Sequence, residues 1–170
     1  MAILRGIILA PGWSKTIHTT GERFMIRIVI VVAALVVGIQ AAVPQNLDVI
    51  KDRKQTMKQS GGAAGAAGKM LKGEAPFDLA AVQASLKTMV DAAAKMPTLF
   101  PDDSKTGGDT RALPAIWADK ADFNARFAKF GTDATAALGA VTDKASFGAA
   151  MTPVFKNCGG CHEKYRAKFD

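Results

Sequence analysis

The chain has 170 residues, with 22 Lys and Arg against 15 Asp and Glu, a formal net charge of +7, two cysteines and two histidines. That length implies one domain. The basic excess is spread along the sequence with no concentrated block, which argues against nucleic-acid binding and fits transient docking to acidic partner proteins.

In chain order, the first feature is the apolar run from Ile28 to Ile39, preceded by Arg27 and followed by Gln40-Ala41-Ala42-Val43-Pro44. Its length is too short to span a bilayer but suits the core of a signal peptide. Residues 1–42 are therefore expected to be a signal peptide cut near Ala41 or Ala42, the alternative being an uncleaved anchor. Met1 to Phe24 show no periodicity, and Met25-Ile26-Arg27 would itself open a short signal peptide. The true start is accordingly expected at Met25, with residues 1–24 upstream of it. Cleavage would remove Arg5, Lys15, Arg23, Arg27 and Glu22 and bring the net charge from +7 to +4. It leaves a domain at residues 43–170, about 128 residues and enough for a packed core. No stable membrane insertion is then expected, and His162 is the only imidazole left.

Beyond Pro44 the sequence is rich in good helix formers. A first helix is expected from about Asn46 to Lys72, on the spacing of Leu47, Ile50, Lys54, Met57, Gly61 and Ala64. Its second half, GGAAGAAG, is weak helix and reads either as a linker or as a backbone lying close to a flat neighbour. Asp78 is placed to cap a second helix with Leu79, Val82, Leu86, Met89, Ala93 and Met96 on one seam. Pro97 and Pro101 bracket a loop that runs to about Ala112. Pro114 opens a third helix with Ile116, Phe123, Phe127, Phe130, Ala134, Ala137 and Val141 buried. Asp143 starts the last one, with Phe147, Met151, Val154, Cys158, Cys161 and Tyr165 in its seam and a bend expected at Pro153. Four such seams joined by mostly short connections predict an all-α fold, an antiparallel four-helix bundle.

The last helix carries KNCGGCHEKYR, with both cysteines. Cys158, Cys161 and His162 stand at i, i+3 and i+4, so their side chains share one face. Cys-x-x-Cys-His is the attachment pattern of c-type haem: two thiols bond to the porphyrin and the adjacent imidazole reaches the iron. A structural zinc needs about four protein ligands, more than the mature chain offers. A dithiol oxidoreductase sets its motif near the start of a helix among strands, and a disulfide across two residues closes too short a loop to stabilise much. One covalent haem c per chain is expected, attached outside the cytoplasm.

A helical bundle with Cys-x-x-Cys-His and then Tyr165-Arg166 near its end resembles the class II c-type cytochromes, the cytochrome c' family. The resemblance runs from about Asn46 onward. It includes Arg53-Lys54-x-x-Met57, Pro76-Phe77-Asp78, Leu99-Phe100-Pro101 and Ile116-Trp117. It implies one of two designs, a five-coordinate iron that binds small gases such as NO and CO, or a low-spin iron of the cytochrome c-556 type closed by a methionine from the first helix. Gly159 after the first cysteine, the EAPFDLAAV run and Leu99-Phe100-Pro101-Asp102 are closer to the second. On that resemblance His162 is the proximal iron ligand and Met57 the distal one, the alternative being that Met57 only fills space. Met89 and Met96 read as core, Met151 shares a helix with His162, and Met70 could approach only if the glycine stretch is ordered. Arg53 would meet either a haem propionate or solvent. Phe123, Phe127 and Phe130 read as core and as part of the haem's apolar wall. The expected function is a periplasmic one-electron carrier, not an enzyme, between larger redox proteins. Family homodimers form through the first two helices.

Overall fold

The computed structural model describes residues 45–168. The expected signal peptide, the start at Met25 and His18 lie outside the described residues. In chain order the elements are α1, Leu47–Leu71; α2, Leu79–Lys95; two 3-10 turns, Met96–Leu99 and Asp102–Ser104; a single helical turn α3, Ala115–Ala118; α4, Lys120–Ala140; and α5, Lys144–Tyr165. Among the described residues there is no strand, only an isolated antiparallel bridge between Ala112 and Arg166. The four long helices form an antiparallel bundle.

Short polar side chains set where these helices begin, because each offers an oxygen to a backbone N–H that the first turn leaves without a partner. Asn46 accepts from the Val49 N–H at 3.2 Å and Asp78 from Ala81 at 3.1 Å. Asp143 and Ser146 form a reciprocal capping box at the head of α5. Asp119 does what the seam pattern alone does not reveal. It leaves the helical region (φ −138°, ψ 65°) and accepts from the Asp122 N–H at 3.0 Å, so the expected third helix is broken into α3 and α4. The glycine-rich half of α1 is helix without interruption to Leu71. Packing overrides propensity there: Ala67 is fully buried, and Ala63 and Ala64 rest on the core. Pro153 does not stop α5 either. The N–H it lacks frees the Ala149 carbonyl, while its own carbonyl accepts an extra bond from Asn157 Nδ2 at 2.9 Å.

Around the bundle, α1 packs on α2, α2 on α4 and α4 on α5, whereas α1 and α5 touch only sparsely. Val82, Leu86, Met89, Phe123, Phe127, Phe130, Phe147, Met151 and Val154 fill the middle. Phe123 stands edge-on to Phe100, Phe127 and Tyr165, with ring centroids 4.7, 5.1 and 5.2 Å away.

The long connection between α2 and α3 folds back on α1 and is held by one side chain. Arg53, 4% exposed, donates to the carbonyls of Leu99 (3.4 Å) and Ser104 (2.8 Å) and to the hydroxyls of Ser104 (3.1 Å) and Thr110 (2.6 Å). Its guanidinium also lies 4.8 Å from the Phe100 ring centroid. Gly107, Gly108 and Asp109 all take positive φ to turn the loop, and a side chain at Gly107 would collide with Gln45.

Replacing Arg53 by Met leaves buried oxygens without donors, so Arg53→Met should lower unfolding free energy by about 3 kcal/mol in urea titrations. Arg53→Lys should recover less than half, because a compact ammonium cannot span four acceptors.

Candidate functional site

The sparse α1–α5 seam opens into a cleft at the level of the attachment motif. From α5 it is lined by Cys158, Cys161 and His162, brought to one side by their spacing, and by Asn157. Met57, Ser60, Gly61 and Ala64 form the α1 wall, and Phe127, Phe130 and Arg126 of α4 form the back. A broader groove between α1 and α2, lined by small residues such as Thr56, Ala63, Ser85 and Thr88, carries no thiol or imidazole.

Both thiols are free and half-buried. Burial pushes each above its ordinary thiol pKa, the opposite of the lowered value a reactive thiolate needs. Burial, then the charge of Arg166, lowers the His162 imidazole, so it is neutral at pH 7 with a nitrogen lone pair to offer. Among the described residues no group of three or more His, Cys, Asp or Glu could hold a metal ion between them, so a four-ligand structural zinc has no ligand set there. The residues that line the cleft suit a flat, largely apolar tetrapyrrole. Two thiols and an imidazole lie on one wall, phenylalanines at the back, and Gly61 opposite, where an added Cβ would meet no protein atom.

Electrostatics lock α5 to α4 at this motif. The Asp122 carboxylate accepts from the Tyr165 hydroxyl at 2.5 Å, from Arg126 Nε at 2.7 Å and from Lys164 Nζ at 3.0 Å. Arg126 Nη1 then donates to the carbonyl of Gly160, between the two cysteines, at 3.1 Å. The Tyr165 bond first, then those of Arg126 and Lys164, hold the Asp122 carboxyl well below the usual carboxylate range. The same carboxylate holds Lys164 above its ordinary value. One turn nearer the start of α5, Asp133 accepts from Asn157 at 2.7 Å and Lys129 at 2.8 Å.

Of the sequence-predicted site residues, the structure brings Met57, Cys158, Cys161 and His162 to one cleft, with Phe127 and Phe130 as its wall. Arg53 does not line that cleft: it is buried rather than solvent-exposed, and the loop oxygens take up its guanidinium. Met89, Met96 and Met151 are buried core, and Met70, though ordered, does not line the cleft. Arg126, Asn157 and Ser60 are cleft residues that the seam pattern missed. The i, i+4 pairing of Asp122 with Arg126 beside Phe127 was the signal for the first of them.

The family model for Cytochrome C' matches residues 48–166. A cytochrome c' of Rhodopseudomonas palustris is 50% identical over 143 residues, covering 84% of this chain and 97% of that protein. A cytochrome c-556 of Agrobacterium fabrum is 45% identical, covering 70% of this chain and 81% of that protein. The solved structure of a cytochrome c' from Rhodopseudomonas palustris superposes with a TM-score of 0.70 at 53% identity, covering 72% of this chain and 98% of that one.

Because the folded Asp122 carboxyl titrates below its unfolded value, its contribution to stability is full above about pH 4 and is lost as the pH falls below that. Denaturant titrations of the native chain at pH 7 and pH 3 should show a drop on acidification. Asp122→Asn should be less stable at pH 7 and lose less between the two.

Proposed function

The chain belongs to the cytochrome c' family, whose members carry covalently bound haem c, and from that premise we propose that it is a periplasmic one-electron carrier rather than an enzyme. In this reading Cys158 and Cys161 form the two thioethers, His162 is the proximal iron ligand and Met57 the distal one. The observation that supports it most is the position of Met57. It enters from α1, across the cleft from the His162 wall on α5, and among the described residues is the only thioether lining the cleft.

Haem c, when bound, supplies an iron that gains and loses one electron. The residues around it do the rest. Burial keeps both thiols protonated before attachment and His162 neutral and ready to ligate. A thioether opposite an imidazole favours the reduced state and raises the potential. Phe127 and Phe130 keep water from the back of the cleft. The Asp122 network and the Arg126 bond to Gly160 hold the motif in one stance, so little reorganises when charge changes. No helix among the described residues is long and apolar enough to cross a membrane, which accords with a carrier that moves between donor and acceptor proteins. The shallow α1–α2 groove is the face on which a homodimer of the family's kind would form.

A second reading is favoured by the 50% identity to a cytochrome c': Met57 is then a lid, the iron is five-coordinate, and small gases bind.

Expressed in a host that attaches haem, the protein should carry one covalent haem by mass spectrometry and show a low-spin spectrum when reduced. Met57→Leu should turn that spectrum high-spin and take up carbon monoxide on mixing. Prompt carbon monoxide uptake by the native protein at pH 7 would overturn the carrier reading in favour of gas binding.

A further inference from the structure

The solvent face of α1 beside the cleft has a charge pattern that the carrier reading leaves unused. Lys51, Lys54, Lys58 and Lys69 are all exposed, and so are Gly61 and Gly65 between them. At 3.6 residues per turn these six positions fall within about 100° of the helix circumference. The two acidic residues of α1 lie outside that arc: Asp48 is in the first turn, and Asp52 turns toward Lys95 of α2, 4.0 Å away. Lys54 Nζ reaches the Gly108 carbonyl at 3.0 Å, which leaves its charge uncompensated. Lys51, Lys58 and Lys69 have no carboxylate partner among the described residues.

At the cleft-side edge of this arc the wall of the cleft is thin. Gly61 both lines the cleft and is exposed, and a Cβ at Gly61 or Gly65 would meet nothing within 4 Å. A second protein can therefore bring its surface against bare backbone there, closer to the cleft than any side chain would permit. Electron exchange needs that closeness, and the flanking lysines supply long-range attraction to negative charge.

We infer that this face of α1 is the docking surface for an acidic redox partner protein, which exchanges its electron over Gly61 and Gly65 while its carboxylates meet Lys51, Lys54, Lys58 and Lys69. The inference rests on the carrier reading and names the partner's chemistry and its point of approach. In the exchange one electron passes between the partner's redox centre and the haem iron, and no atom or proton moves. An anionic lipid surface suits the face less well. Its only exposed large apolar side chain is Leu47, at the first turn, and interfacial helices bury a continuous apolar face.

The test uses reduced holoprotein and two small oxidants in stopped flow, the anion hexacyanoferrate(III) and the cation tris(phenanthroline)cobalt(III). At low salt Lys58→Glu should slow oxidation by the anion about fivefold and speed it with the cation. Lys87→Glu, an equal charge change on the exposed surface of α2, should change either rate less than about twofold. The differences should vanish at about 0.5 M salt, where screening acts within a few Å. Gly65→Phe should slow both oxidants, since it thickens the wall without altering charge. Independently of any electron transfer, poly-aspartate should shift the backbone amide resonances of residues 58–66 more than those of α2 in NMR spectra.

Equal effects of Lys58→Glu and Lys87→Glu would reduce the result to net charge and overturn the proposal, and so would rates unaffected by Gly65→Phe. Binding to phosphatidylglycerol vesicles that Lys58→Glu abolishes would assign the face to a lipid surface instead. Failure of the carrier reading shows up separately, as prompt carbon monoxide uptake by the native protein.

Discussion

The structure depends on a seam that does not close. A four-helix bundle has four helix–helix seams around its perimeter, and here three are packed while α1 and α5 stand apart. Interiors of proteins are close-packed, and an apolar recess left facing water forfeits both dispersion contacts and hydrophobic stabilisation. This recess is apolar at the back and is bounded at both ends. At one end Leu71 of α1 comes near Gly148 of α5. At the other, the segment before α3 pairs with the end of α5, through the Leu113 N–H to Tyr165 carbonyl bond at 3.0 Å. The walls of the slot offer two thiols, an imidazole and a thioether. A covalently attached group that fills it stays on the unfolded chain too, so it stabilises the fold only through the contacts made when the slot is formed.

Holding such a slot open while fixing its chemistry is the work of two arginines with different surroundings. Arg126 is partly exposed, and its pairing with Asp122 adds little as a surface ion pair. Its value is geometric, because the same guanidinium reaches the carbonyl of Gly160 inside the attachment motif and so ties α5 to α4 at that level. Arg53 is buried, and neutral oxygens and an aromatic ring surround its charge. It fastens the long loop over α1 one turn before Met57. The slot is thus braced on its α5 side by a charged network at the surface and on its α1 side by a buried fork of hydrogen bonds.

The helices and the attachment motif were legible because both are local. Periodic apolar residues mark a buried stripe wherever they occur, and Asn46, Asp78 and Asp143 announce helix starts by chemistry acting over three residues. The i, i+3, i+4 arrangement of Cys158, Cys161 and His162 has one geometric outcome on any helix. What escaped was decided by partners remote in sequence. Nothing near Asp119 distinguishes a cap that breaks a helix from an exposed aspartate within one. The glycine-rich half of α1 is helix because Ala63, Ala64 and Ala67 have a core to rest on, and propensity cannot know that. The surroundings of Arg53 escaped for the same reason. A single cation on an early turn says nothing of whether loop oxygens, a cofactor or water will meet it, and the loop that claims Arg53 lies some fifty residues further on.

That placement of Arg53 bears on how relatives named cytochrome c' and cytochrome c-556 can both resemble this chain. The scaffold needed for a closed iron and for an open one is the same: a parted seam, a motif held by α4, and an apolar back wall. In the carrier reading, the difference rests on Met57 of α1. A methionine at position 57 can ligate only if α1 keeps its register and depth, and those are set one turn away, where Arg53 is bound into the loop by four acceptors. A shift of α1 along its axis by one residue, about 1.5 Å, would carry the thioether out of line with the opposite wall. The reach of the Met57 thioether toward the opposite wall is therefore a property of the clamp as much as of the methionine.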